Sequence, residues 1–300
     1  MKLLHISDIH GDLDSLNTVA DFARKRNDLE VIVCTGDLLG QCLPEEKVRL
    51  MLQAHNDILK RVYINERPIQ NVFEFKEVLS FLLQRGDKAA EVYRAIEQEF
   101  EKNAEIQYST IREVLAKFPQ KVLTIPGNWD SQQYFYHFEE FDIHKKIREV
   151  GEVEFGGYGV DLATPTFLPL TKIIPYSEDE LYNFLVENIP EVAVTHTPPR
   201  GILDQTLQGN KGSWAVLAYL RNPEESSNLF LCGHCHESFG VIKPKGLRTL
   251  VINSGNLGKY KDCSHQRSFI EINYENGKEI SILPYEIRPD GTINLIKREQ

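Results

Sequence analysis

Five short polar clusters, each set directly after a short apolar run, constrain this chain more than any other feature of it. In order they are Asp8-Ile9-His10, Gly36-Asp37, Gly127-Asn128-Trp129-Asp130, His196 and Gly233-His234-Cys235-His236. The runs before them cover residues 2–7, 31–34, 121–125, 192–195 and 229–232. They are too short for helices and too continuously apolar for half-exposed strands, so they predict buried strands of a largely parallel sheet. Between the first two runs, Leu13, Leu16, Val19, Ala20 and Phe22 fall at helical spacing within residues 12–26. The chain therefore opens as a β-α-β unit. In such sheets binding residues gather at the carboxyl ends of the strands, which is where Asp8 and Asp37 lie.

Residues 44–119 differ in kind. They are rich in Glu, Lys, Gln and Ala, and Val92, Ile96 and Phe100 repeat at i, i+4. Ile111, Val114, Leu115 and Phe118 continue an apolar stripe. Gly86-Asp87 marks a helix boundary, and the segment after it could make about 30 helical residues, roughly 45 Å long. This is a helical insertion with two readings: amphipathic helices packed on the core, or a cap over the site that selects the substrate. Further on, residues 153–160 predict a strand with a tight turn and 178–188 a helix. Strands are expected at 248–253, 268–274, 279–284 and 293–296, separated by turn signals at Asn276-Gly277 and Asp290-Gly291. No repeat, linker or low-complexity tract divides the chain. Residues 1–300 are expected to form one catalytic domain, with 44–119 inserted in it.

Charge narrows the partners. Over 300 residues the formal net charge is −10, which repels long nucleic acid but leaves room for a local basic pocket that takes a small phosphate ester. Cys34, Cys42, Cys232, Cys235 and Cys263 are odd in number and scattered, unlike a disulfide framework. The opening MKLLHISDIHGD turns charged too soon for a signal peptide, and no run is long enough to span a bilayer. A cytoplasmic protein is the expectation; the oligomeric state is not legible.

Singly, a DxH or a GD is an ordinary turn, and a lone His after a strand is usually structural. The HxH spacing says more, because alternate residues of a strand project to one side. Together, carboxylate, imidazole and amide oxygen donors suit divalent transition metals. The ordered series DxH…GD…GNxD…H…GHxH resembles the calcineurin-like metallophosphoesterase superfamily. The likeness runs from Asp8 to His236 and skips only the helical insertion. Asn253-Ser254-Gly255-Asn256 and His196-Thr197-Pro198-Pro199 also resemble loops of small bacterial and archaeal members.

The resemblance implies a four-layer αββα sandwich, an α/β fold. Asp8, His10 and His236 would hold one metal and Asn128, His196 and His234 the other, with Asp37 bridging. Asp37, Asn128 and His196 would take part in catalysis as well. Manganese is favoured, with Fe, Zn, Ni, Co or Mg as alternatives. Two ions about 3.5–4 Å apart share a hydroxide that attacks phosphorus in line. The function implied is a metal-dependent phosphoesterase of small molecules, nucleotides among them, phosphodiester favoured over phosphomonoester. The alternative is a metal-binding, catalytically weak interaction module of the same fold.

One position departs from the pattern. Many members have His after the Asn, credited with helping the leaving oxygen depart; here it is Trp129, whose indole has no usable proton-transfer pKa. His137 or a bound water could supply the proton, or the natural leaving group could be of low pKa. Trp129 itself is either a core aromatic or a wall on which a base stacks. Asp130 is expected to orient a neighbouring ligand. Cys235 should point away from the metals. Arg200, Lys259 and Lys261 are candidate phosphate contacts beside the plainer reading of solvated surface charges.

Overall fold

A computed structural model describes residues 1–63, 72–161, 163, 165–259, 267–275 and 278–296. Lys261, Cys263, His265 and the Asn276-Gly277 turn lie outside the described residues. The elements run β1 (Lys2–Ile6), α1 (Leu13–Arg24), β2 (Val31–Cys34), α2 (Glu45–Tyr63), α3 (Val72–Gln84), α4 (Lys88–Leu115), β3 (Lys121–Thr124), α5 (Tyr134–His137), β4 (Lys146–Val150) and β5 (Val153–Tyr158). They continue with α6 (Glu178–Asn188), β6 (Val192–Thr195), β7 (Gln205–Thr206), β8 (Gly209–Asn210), α7 (Trp214–Leu220), β9 (Leu229–Cys232), β10 (Gly240–Ile242), β11 (Leu250–Asn253), β12 (Arg267–Glu275), β13 (Lys278–Ile287) and β14 (Ile293–Leu295).

Two six-stranded sheets form, in the orders β14-β13-β12-β1-β2-β3 and β10-β11-β9-β6-β5-β4. The period-2 alternation of the buried strands decides their packing. Leu3, Val31 and Val33 face the second sheet and meet Phe155, Val194, Leu231 and Ile252 there. Their neighbours Leu4, Ile6, Ile32 and Cys34 face the other way, onto α1, α2, α3 and α4. On the far side, Ala193, Phe230, Cys232 and Val251 pack on Leu181 and Leu185 of α6 and on Val216, Tyr219 and Leu220 of α7. The result is a helix–sheet–sheet–helix sandwich.

Helix starts follow their capping residues. Asp12 accepts from the Ser15 N–H at the head of α1, and Asp87 accepts from Ala89 and Ala90 at the head of α4, each satisfying donors the helix leaves open. Gly86, at φ +66°, supplies the left-handed turn before α4. Residues 44–119 hold α2, α3 and α4, whose Met51, Ile58, Phe75, Tyr93, Phe100 and Ile111 enter the same core as β1 and β2.

Register brings the polar clusters together. β1, β2 and β3 are parallel, with Ile6 beside Cys34 and Cys34 beside Thr124. The loops bearing Asp8, Asp37 and Asn128 therefore leave the first sheet side by side. In the second sheet β5, β6, β9 and β11 are parallel, pairing Tyr158 with Thr195 and Val194 with Leu231. Their exits carry His196 and His234.

Several short elements escape the apolar pattern. β4, Lys-Ile-Arg-Glu-Val, is a largely exposed edge strand with no apolar run to betray it. β10 and the β7–β8 ribbon are two or three residues long. The GHxH segment departs from expectation: β9 ends at Cys232, and His236 opens a short 3-10 turn. The two histidines thus do not share a strand face.

Candidate metal centre

Asp8, His10, Asp37 and His234 all adopt left-handed backbone, at φ +53°, +48°, +52° and +65°. This conformation is uncommon for residues with a Cβ and gathers at functional sites. Backbone hydrogen bonds hold it: Asp8 N–H to the Gly36 carbonyl at 3.0 Å, His10 N–H to the Asp37 carbonyl at 2.9 Å, and Gly233 N–H to the His196 carbonyl at 3.0 Å. The His234 N–H donates to Asp8 Oδ2 at 2.9 Å, joining the sheets.

Seven side chains converge there. His236 Nε2 lies 3.0 Å from Asp8 Oδ1 and 3.1 Å from His10 Nε2. Asn128 Oδ1 lies 2.8 Å from His196 Nε2 and 3.0 Å from His234 Nδ1. Asp37 Oδ2 stands between the groups, 3.9 Å from His10 Nε2 and 3.5 Å from His196 Nε2. Two sets of ligand-type atoms result, Asp8 with His10 and His236, and Asp37 with His196 and His234, each within 4.8 Å.

The orientation of these groups is fixed from behind. His196 Nδ1 is 2.7 Å from the Thr35 carbonyl. A carbonyl only accepts, so Nδ1 carries a proton and Nε2 is the atom turned inward. Asn128 gives its NH2 to the Ala163 carbonyl, which turns Oδ1 the same way. Acceptor lone pairs gathered at one buried point repel unless a cation lies among them. Oxygen and imidazole donors of this kind fit a pair of divalent cations.

The field has the same sign. Burial alone would raise the Asp8 and Asp37 carboxyls, but neighbouring imidazoles hold both below the ordinary range. At His196, burial works against a proton, yet Asp37, Asp8 and the Thr35 carbonyl outweigh it and carry the ring up to about 10. His10 goes the other way, to about 4, chiefly through burial. The centre demands positive charge beside Asp37.

Asp130 ties the loops that carry Asp37 and Asn128. Its carboxylate accepts from the N–H groups of Leu38, Leu39 and Gly127 at 3.2, 3.0 and 2.8 Å, and from the Tyr108 hydroxyl of α4 at 3.0 Å. Burial and the nearby Asp37 charge raise its pKa to about 6 in spite of these donors. α4 grips the same loop twice more: Gln107 Oε1 accepts from Gly40 N–H at 3.0 Å and Asn103 donates to the Cys42 carbonyl at 2.8 Å. On the other sheet, Asn253 donates to the Gly233 and Cys235 carbonyls at 3.3 and 3.0 Å, steadying the GHxH loop.

Sequence reasoning missed Asp161. Buried after β5, it lies 3.9 Å from His234 Nε2 and accepts from the Thr197 hydroxyl at 2.6 Å. Its place, just beyond a strand like every other cluster, was the available signal; the preceding glycines obscured it. The remaining candidates fall as follows. Trp129 is half-buried, its ring 4.3 Å from His10 and 4.5 Å from Phe167 at steep angles, and its backbone N–H holds Asp37 Oδ1 at 2.7 Å. His137 does not supply the missing imidazole: it pairs with Glu105 at 2.8 Å and lies against Tyr108, on the far side of Asp130. Lys259 pairs with Asp14 at 3.4 Å. Arg200 donates to the Asn210 carbonyl at 2.6 Å and lies over Trp214. Cys235 is buried, its thiol pushed up by burial.

Two cavities adjoin the centre. One, of about 940 Å3, reaches Asp161, Ala163 and Thr197. The other, of about 470 Å3, is lined by Trp129, Pro165, Phe167 and by Glu45 and Arg49 of α2. Ala163 lines the first and Pro165 the second. Among the described residues no helix is long and apolar enough to cross a membrane.

Residues 1–238 match the sequence model of the calcineurin-like phosphoesterases. Among curated proteins none matches the chain in sequence. One solved crystal structure is 14% identical, covers 99% of this chain and 98% of its own, and superposes with a TM-score of 0.62. TT1561 of Thermus thermophilus is 13% identical over 96% of this chain and 99% of its own, at a TM-score of 0.56. Yfce, a phosphoesterase from E. coli, is 12% identical over 99% and 98%, at 0.38. At these identities the first two are likenesses of fold.

Proposed function

This chain belongs to the calcineurin-like phosphoesterase family, and on that premise we propose that it hydrolyses phosphodiesters of small molecules, in preference to phosphomonoesters. Asp8, His10 and His236 would hold one divalent cation and Asn128, His196 and His234 a second, with Asp37 shared. The observation that carries this is the division of seven convergent side chains into two sets with Asp37 Oδ2 between them. Bound there, the pair would supply Lewis acidity, making water acidic enough to ionise near neutral pH and neutralising charge on the phosphoryl oxygens. Manganese is the favoured ion.

The chain's own groups do the positioning. The Trp129 backbone N–H fixes one oxygen of Asp37 and leaves the other to the centre. His196 would keep its proton on Nδ1 against Thr35 and, beside a bound cation, present a bare Nε2. Asp130 locks the two ligand loops in a common frame, so that Asp37 and Asn128 hold their places while the ester reacts. With indole where many relatives have imidazole, the chain gives a poor leaving oxygen no titratable donor at that position.

One feature supports the diester. Two separate cavities adjoin the centre, one reaching Asp161 and Thr197 and the other Trp129, and a diester has two arms to seat where a monoester has one. Trp129 and α2 line one of them, which is the sense in which the helical segment 44–119 of this single domain would help select substrate. Buried Cys34, Cys42, Cys232 and Cys235 remain thiols, as a reducing compartment permits, and we assign the protein to the cytoplasm.

The test is hydrolysis of an aryl phosphodiester beside its monoester, with Mn2+ added and then removed by chelator. Asp8→Asn and His236→Ala are each expected to lower turnover at least a hundredfold with the diester preferred. Metal binding by calorimetry without turnover on either ester would leave an interaction module instead.

A further inference from the structure

The larger of the two cavities has an aromatic lining that nothing above employs. We propose that it is a base-binding subsite, and that the arm of the ester seated there carries a nucleobase; this rests on the phosphoesterase reading.

Asp161 and Thr197 of its lining connect the cavity to the centre. Thr197 follows His196 directly, its hydroxyl bonded to Asp161, and Asp161 reaches toward His234. A phosphate held at the centre would therefore have one ester arm pointing along Asp161 and Thr197. The lining also carries aromatic surface. Trp214, the first residue of α7, is 64% exposed, whereas Ala215, Val216 and Leu217 behind it are buried. Tyr182 of α6, 40% exposed, stands on the same cavity. Large aromatic surface left open beside a site marks a place where a ligand stacks.

Trp214 is also held in place. The Arg200 guanidinium sits 5.6 Å from its ring centroid and is fixed by the bond to the Asn210 carbonyl. A rigid aromatic plate loses little freedom when a ring packs on it. The volume, about 940 Å3, is at the upper end of ordinary small-molecule pockets and ample for a nucleoside. Charge sets the chemical class. The lining includes Asp161, Glu178 and Asp179 against Arg200 and Lys211, so a second phosphate gains little there, while an uncharged base with polar edges suits both aromatic surface and carboxylate or amide partners. An aliphatic lipid arm would waste those polar groups.

The experiment compares two diesters with the same p-nitrophenyl leaving group, one whose second arm is thymidine 5′-yl and one whose second arm is methyl, using Mn2+-loaded protein. In Trp214→Ala the KM for the thymidine ester is expected to rise about tenfold or more, as loss of one base–aromatic stack implies. The methyl ester should change less than twofold, and Trp214→Phe should restore most of the loss. Equal effects on both esters, or none on either, would overturn the subsite. The second readout needs no turnover. In Trp129→Phe, Trp214 is the one tryptophan left, and its fluorescence should be quenched by AMP and not by ribose 5-phosphate. Quenching without hydrolysis of either ester would retain the subsite and refute the phosphodiesterase; hydrolysis of both esters with no quenching and no selective KM change would do the reverse.

Discussion

Gly127 shows how closely the centre is built. A Cβ there would strike the backbone nitrogen and Oδ1 of Asp37 and come within 2.7 Å of its Cγ. Gly233 is in the same position against Ser7 and Asp8, with the Ser7 Cβ at 2.8 Å. Neither glycine is needed for its own backbone angle; each is needed because a ligand carboxylate occupies the space beside it. Gly127→Ala should therefore displace Asp37. We expect activity to fall at least a hundredfold while stability falls by only about 1–3 kcal/mol, read from steady-state kinetics beside urea unfolding. Asp161→Asn is a milder change: it keeps the shape, retains an acceptor for Thr197, and removes a charge near His234. A tenfold loss of metal affinity in calorimetry is the expected result, and unchanged affinity would leave Asp161 a purely structural group. At this scale the ligand types were plain in the sequence, because carboxylates and imidazoles after apolar runs have few structural uses. Their left-handed backbone was not, since nothing in Asp-Ile-His distinguishes φ +53° from an extended turn. Asp161 was invisible for a related reason: it binds through neighbours in space, Thr197 and His234, that its own sequence context does not name.

Among elements, α4 has a double character. Its apolar stripe, with Tyr93, Phe100, Tyr108 and Ile111, seals the first sheet, and its polar residues Asn103, Gln107 and Tyr108 hold the loops leading from Asp37 and Asn128. A removable cap would lack both ties. Deleting 44–119 should consequently destroy the native fold, seen as loss of a cooperative thermal transition, and not simply broaden substrate choice. Tyr108→Phe isolates the second role. The hydroxyl donates to Asp130 and accepts from the Ser131 N–H at 2.8 Å, so its loss leaves two buried groups short of a partner. A cost of about 1–3 kcal/mol is expected, with kcat falling and KM little changed. The helices and buried strands were legible because periodicity survives burial. β4 and the β7–β8 ribbon were not, because edge strands are held by backbone pairing, which leaves the side chains unconstrained.

For the molecule as a whole, acid sensitivity follows from groups locked away uncharged. His144 is buried, its Nδ1 accepting from the Gly159 N–H at 2.8 Å. Burial, then Lys145 and Lys146, lower its pKa from 6.5 to about 3. The unfolded chain binds that proton below pH 6.5 and the folded chain does not until about pH 3, so the contribution to stability falls as pH drops through that window. Between pH 6.5 and 5 the loss from this one ring should be roughly 2 kcal/mol. His144→Gln, compared with the parent by urea unfolding across that range, should shallow the slope by about one proton; parallel slopes would show that the ring charges within the fold.

The His234 N–H bonded to Asp8 Oδ2 has a wider consequence. Asp8, His10, Asp37 and Asn128 hang from one sheet, and His196, His234 and His236 from the other, with apolar side chains filling the space between. Cations at this seam would act as rivets, and a rivet loosens when its plates slide. Ion binding and global stability are then thermodynamically linked. A truncation deep in the inter-sheet layer, Val194→Ala for instance, touches no ligand, yet it should weaken ion retention. Conversely, saturating Mn2+ should raise the melting temperature of every such variant.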